Sequence, residues 1–319
     1  MKRRRLGGTG LYVSPIGFGS WQLGGSGWGA FSEEEALRAV RRALDLGINL
    51  FDTAPVYGFG RSEEFLAKAL GSARKSAVIV SKGGLVWDDR GRVAHDNRPE
   101  SLRRGLEGTL KRLGREVLDV FLLHWPDPKV PLEESALALD SLRREGKIKA
   151  WGVSNFPAVD VLEARWEIGN SGSRLRSDKD RASIVLEYPL NALEEYAAEY
   201  AASAEAGREL LKVVQHEDGG FLAFDVLARG LLGGRYGPRT RFGKRDLRSR
   251  DARFQGEAFL RNLERVERMS AEACSLGLSP AAFAMRQVLD RPGVTAAIIG
   301  MKTAAQVEES SHYTDTAQE

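Results

Sequence analysis

Eight short apolar runs, at 15–20, 48–53, 77–82, 118–124, 149–154, 182–187, 220–225 and 294–299, alternate with amphipathic stretches of helical length. Successive parallel strands need a crossover between them, and helices supply it, so the alternation predicts a parallel α/β fold. Eight strands with eight crossovers close into a (β/α)8 TIM barrel. Helix starts are marked by Ser32 with Glu35, Ser62 ahead of Glu63 and Glu64, Pro99, Pro157, and Thr303 with Gln306. Leu11-Tyr12-Val13 predicts half of a β-hairpin plugging the amino-terminal end. Residues 1–319 then form a single domain, a length that one barrel accommodates.

Composition narrows the partners. Apolar residues make up 42% and charged residues 29%, the balance of a chain that buries a sizeable core. The net charge of +3 is spread along helix faces and argues against nucleic acid. Cys274 is the only cysteine, which excludes an internal disulfide. Met1 to Arg5 is basic like a signal-peptide start, but Leu6-Gly7-Gly8-Thr9-Gly10 follows in place of an apolar segment. No run approaches the ~18 apolar residues of a membrane span, and the expected location is the cytoplasm. His95, His124, His216 and His312 show no paired metal-ligand spacing, so no metal site is expected. Nothing in the sequence fixes the oligomeric state.

The strand ends carry the chemistry. Asp52, Lys82 and His124 each close an apolar run, and Tyr57 follows Asp52 by a short turn. In an α/β barrel these positions share the carboxyl-terminal rim, where catalytic residues sit. Singly, Asp52 with Lys82 reads as a structural ion pair, Tyr57 as a loop aromatic and His124 as a core histidine. As a set of four, they point to a phenol that gives a proton to a carbonyl oxygen while a hydride arrives at the carbon. A free tyrosine has a pKa of ~10 and is a reluctant donor. A nearby Lys82 ammonium is expected to lower it, with Asp52 holding the lysine and His124 orienting the substrate. Trp21, Trp28, Trp87 and Trp125 lie at or near strand ends and suggest an aromatic-walled substrate pocket.

Two stretches suggest anion binding. Gly25-Ser26-Gly27-Trp28-Gly29-Ala30 fits a dinucleotide fingerprint, but Glu33, Glu34 and Glu35 open the next helix and would repel a pyrophosphate, so a loop over the pocket is expected instead. After the last strand, Gly300, Lys302, Thr303 and Gln306 set a glycine, a cation and an uncharged first turn in order. An ordinary Thr-capped helix with a surface lysine is the other reading. Residues 169–181 read as a polar surface insertion. Residues 233–256 read as a long loop, with seven basic residues between 239 and 253, that is either a lid or a solvated basic loop.

Over roughly residues 6–312 the chain resembles the aldo-keto reductase family. GTGLYVSPIGFGSWQLGG, FDTAPVYGFGRSEE, VIVSKGG, LLHWPDP, GKIKAWGVSNF, LARGLLGGRY and FGKRDLRSRDARFQGE carry the likeness, closest to bacterial members related to general stress reductases. The resemblance implies a (β/α)8 barrel that binds NADPH at its carboxyl end and reduces aldehydes or ketones. It places the catalytic four on Asp52, Tyr57, Lys82 and His124. It puts cofactor contacts on Gly19, Ser20, Trp21, Asp52, Phe224, Leu227 and Gly300, with Ser154 and Asn155 on the nicotinamide carboxamide. Lys302, Thr303 and Gln306 fall at the adenosine 2′-phosphate and Glu309 near the adenine, which favours NADPH over NADH. Three positions depart from the family: Val185 replaces a carboxamide-binding Gln, Phe224 a stacking Tyr, and Asp225 a small residue beside the pyrophosphate. A small-molecule carbonyl compound is the expected partner. The alternative function is an NADPH-binding sensor of the same fold, like the potassium-channel beta subunits, with little turnover.

Overall fold

The computed structural model describes residues 1–25, 27–29, 31–170, 184–216 and 218–314. A short antiparallel hairpin of β1 (Arg4–Arg5) and β2 (Tyr12–Val13) precedes the sheet. Eight strands then form a closed barrel: β3 (Ile16–Gly19), β4 (Leu50–Asp52), β5 (Val78–Gly83), β8 (Leu118–Leu123), β9 (Ile148–Ser154), β10 (Val185–Pro189), β11 (Gly220–Phe224) and β12 (Ala296–Gly300), with β12 returning to β3 and every ladder parallel. Around it lie α1 (Glu33–Asp45), α2 (Arg61–Leu70), α3 (Pro99–Leu113), α4 (Leu132–Arg144), α5 (Ala158–Asn170), α6 (Ala201–His216), α7 (Gly256–Ser275), α8 (Pro280–Leu289) and α9 (Ala304–Ser311). The loop after β5 holds a second hairpin, β6 (Leu85–Trp87) with β7 (Val93–His95). Among the described residues no helix is long and apolar enough to cross a membrane.

The two-residue period of the strands divides the core into an inner and an outer layer. Leu50, Val80, Val120, Leu122, Val185 and Leu222 fill the barrel, and Leu6 and Val13 of the hairpin region close it from below as the plug. Phe51, Ile79, Phe121, Leu186 and Tyr188 point outward to the helices. Continuing the inward parity by one more step puts Asp52, Lys82, His124, Ser154, Glu187 and Phe224 on one level at the carboxyl end, with Gly19 and Gly300 leaving one side of that level open.

Three expectations are corrected. Strand six runs from Val185 to Pro189 instead of 182–187, so Val185 sits at its foot, packed inside the barrel, and Glu187 takes the place beside Ser154. The second helix starts at Arg61 on a left-handed Gly60 (φ 95°), two residues ahead of the glutamates, and Ser62 is buried inside its first turn. The 233–256 stretch is more than a solvated loop. It contains turns at Leu247–Ser249 and Ala252–Phe254, and Tyr236, Phe242 and Phe254 pack edge to face. Beyond Gly169 and Asn170, which end α5, the 169–181 insertion lies outside the described residues. Ser32 and Thr303 cap their helices as expected, Thr303 within a full capping box with Gln306.

Candidate active site

Lys82 stands buried between two carboxyl groups. Its Nζ is bonded to Asp52 Oδ2, lies 3.2 Å from Glu187 Oε1 and donates to the Thr53 carbonyl at 3.2 Å. Tyr57 is delivered by a tight turn in which Gly60 N–H donates to the Pro55 carbonyl at 2.7 Å. Gly24 presses on this turn from the opposite wall: a Cβ on it would lie 2.6 Å from the Tyr57 carbonyl carbon. The Tyr57 ring stacks on Trp21 at 5.9 Å, meets the His124 ring edge-on at 5.7 Å and has Lys82 Nζ 5.4 Å from its centroid. The four residues expected on one rim are therefore brought together.

Burial governs their protonation. It favours a neutral Lys82, but the Asp52 and Glu187 charges more than offset that and hold the ammonium above its ordinary pKa. Burial pushes the Tyr57 phenol up, Lys82 pulls it down, and Asp52 and Glu187 add to the rise. The net direction is upward, opposite to the expected lowering, because burial outweighs the pull of the Lys82 ammonium. Burial, then Lys82 and His95, hold His124 well below the usual imidazole range, so its ring is neutral. Burial and the Asp52 charge, opposed by Lys82, raise Glu187 to about 8.

From Tyr57 and His124 a cavity of about 300 Å³ runs past Ser154, Asn155 and Phe224 to Lys302, Arg235 and Arg248. Gly19, Trp21, Trp28, Asp52, Leu227, Gly300, Gln306 and Glu309 also line it. Ser154 Oγ donates to the Glu187 carbonyl at 2.8 Å. Asn155 Nδ2 donates to Ser154 Oγ and the His124 carbonyl, and its Oδ1 accepts from Ser203. Lys302 Nζ donates to the Trp28 carbonyl at 2.5 Å, and Glu309 pairs with Arg235. Ser20 and Thr303 are not among the lining residues: Ser20 Oγ donates to the Asp52 carbonyl at 2.8 Å, and Thr303 caps α9. Trp87 and Trp125 are also outside the lining. Trp87 packs on Phe59 at 5.4 Å, and Trp125 stacks on Tyr200, which does line the cavity.

Asp225 was expected to oppose an anion, but its charge is engaged within the protein. Arg253 donates to it at 2.7 Å and to Asp251 at 2.8 Å, and Arg229 reaches the same Asp251 at 3.0 Å. The glycine-rich loop forms part of the wall through Trp28, and its Gly27 carbonyl accepts from Leu247 N–H at 2.9 Å, joining it to the basic loop. Glu187, Tyr200 and Arg248 line the cavity without having been singled out. Inward parity from Val185 marks Glu187, and the density of arginines marks the loop of Arg248. Tyr200, in a short turn ahead of α6, carries no sequence signal.

Comparison with known proteins agrees with this geometry. Aldo-keto reductase YhdN of Bacillus subtilis is 34% identical over 319 residues, covering 98% of this chain and 89% of its own length. The structure of glycerol dehydrogenase AKR11B4 from Gluconobacter oxydans superposes with a TM-score of 0.83 at 35% identity, covering 98% of this chain and 90% of that one. An aldo/keto reductase from Klebsiella pneumoniae, solved in complex with NADP and acetate, gives 0.68 at 26% identity over 99% of this chain and 90% of that one. With the family model matching residues 15–318, from the first barrel strand to the end of the last helix and beyond, the chain belongs to the aldo/keto reductase family.

Proposed function

We propose that this protein is an NADPH-dependent reductase of aldehydes and ketones in which Tyr57 is the proton donor. The observation that carries the reading is one cavity with Tyr57, Asp52 and His124 at its inner end, Lys82 buried against Asp52 and Tyr57, and Lys302 and Arg248 at its outer end. The residues present suit an extended dinucleotide phosphate. Burial and the neighbouring Arg248 lower the Lys302 pKa, a strain that an anion between the two cations would relieve. Trp28 Nε1 is a buried donor with no partner among the described residues. Ser154 and Asn155 would hold the carboxamide, Phe224 would stack on the nicotinamide ring, and Gly19 and Gly300 would leave room for the chain of the molecule.

Bound there, the reduced cofactor supplies the hydride. Tyr57 supplies the proton: burial keeps the phenol protonated at neutral pH, so a donor is always present. As its O–H bond breaks, the developing phenolate meets the fixed Lys82 ammonium, an attraction stronger in the transition state than in the ground state. Asp52 holds that ammonium in place. Neutral His124 keeps one ring N–H to donate to the carbonyl oxygen and orient it beside Tyr57. Trp21 and Trp28, edge to face at 5.1 Å, wall the polar corner from water.

The test is NADPH consumption followed by absorbance with a panel of activated aldehydes, with NADH in parallel. Turnover selective for NADPH is expected. Tight NADPH binding with no turnover would overturn the reading in favour of a sensor.

A further inference from the structure

Glu187 is as buried as the residues around it, with 4% of its side chain exposed, and it shares their level in the barrel. Its Oε1 lies 3.2 Å from Lys82 Nζ, while Oε2 has no hydrogen-bond partner among the described residues and the side chain lines the cavity. We propose that Glu187 is a fifth functional residue of this site, a positioning carboxyl that acts on Tyr57 through Lys82. The assignment rests on the reductase reading above.

Two carboxylates and one ammonium out of water would leave one uncompensated negative charge, and one carboxyl relieves it by keeping its proton. Asp52 is in the closer contact with Lys82, which leaves the proton with Glu187. The titratable groups facing it are Asp52 from β4, Lys82 from β5, Tyr57 from the turn after β4 and His124 after β8. The register neighbours on the flanking strands, Ser154 and Leu222, are uncharged.

Near neutral pH the carboxyl is neutral and Lys82 is shared with little repulsion. Above about pH 8 Glu187 ionises, and the added charge opposes formation of the Tyr57 phenolate. Reduction and alcohol oxidation pass through the same transition state, in which Tyr57 carries the developing negative charge, so an ionised Glu187 slows both directions together.

The test is the pH dependence of kcat/KM in both directions for the wild-type protein and Glu187→Gln, which keeps the shape and cannot ionise. The variant-to-wild-type ratio of kcat/KM near neutrality is the reference. Above about pH 8, where Glu187 of the wild type ionises, the variant-to-wild-type ratio of kcat/KM should rise about tenfold in both directions. Infrared spectroscopy of the wild-type protein should show a protonated carboxyl band that titrates in the same range and is missing from the variant. A ratio that does not change with pH, or no such band in the wild type, would overturn the role of Glu187. A wild-type protein with no turnover would overturn the reductase reading beneath it.

Discussion

Replacing Arg253 by Met keeps an apolar stem of similar reach and removes the guanidinium of a side chain that is only 3% exposed. That group donates to Asp225 at 2.7 Å, to Asp251 at 2.8 Å and to the Glu195 carbonyl at 3.2 Å. Asp251 would keep Arg229, whereas Asp225 would keep only the Arg229 backbone N–H at 3.1 Å. Breaking a buried pair by removing one partner costs roughly 3–5 kcal/mol, because the other charge stays buried and unpaired. Asp225 can escape part of that by taking up a proton, and burial already raises its pKa even with Arg253 present. We therefore expect a loss near the lower end, about 3 kcal/mol, in urea unfolding followed by tryptophan fluorescence. With its folded pKa raised further above the unfolded value, Asp225 makes the folded state bind more protons than the unfolded one. The deficit should thus be largest at neutral pH and shrink as pH falls through the folded pKa. Adding Asp225→Asn should recover about half of it. A loss below about 1 kcal/mol, a deficit independent of pH, or a double variant no better than the single would refute the reasoning.

Three further outcomes follow from the same geometry. Lys302→Met should raise the KM for NADPH roughly 10- to 100-fold, the worth of a charge-assisted hydrogen bond, and leave the KM for NADH unchanged; equal effects on both would remove Lys302 from the 2′-phosphate. Gly24→Ala should lower kcat/KM roughly 100-fold in steady-state assays and also lower the unfolding midpoint, since the added Cβ meets the backbone of the turn that delivers Tyr57. Because His124 is held neutral, reductive kcat should show no limb near the ordinary histidine pKa, and a fall through that range on raising the pH would mean that the imidazolium is the working form.

Much of the barrel is legible because several strands are followed by a recognisable helix start, and because a polar residue ending an apolar run stands out. Asp52, Lys82 and His124 are visible for that reason. Strand six is not, since its apolar run is buried on both faces and offers no period to fix its register. Ending the run at Glu187 put Val185 at the rim, when the inward parity shared with Val185 places Glu187 there. The hairpin of β6 and β7 escapes notice because its strands are only three residues each. The basic loop shows no helical or strand period because its aromatic residues are spaced for an irregular path closed by ring contacts, with the Arg248 guanidinium carbon 4.5 Å from the Phe242 centroid. The neutralisation of Asp225 depends on Arg253, 28 residues away, and only the folded chain reveals it.

The most direct test of the central claim is NADPH consumption by Tyr57→Phe beside the wild-type protein, with cofactor binding measured on both by fluorescence. The phenol is the proton donor, so the variant should bind NADPH as the wild type does and lose roughly 10²- to 10⁴-fold in kcat. A variant that binds NADPH and turns over at the wild-type rate would contradict the account.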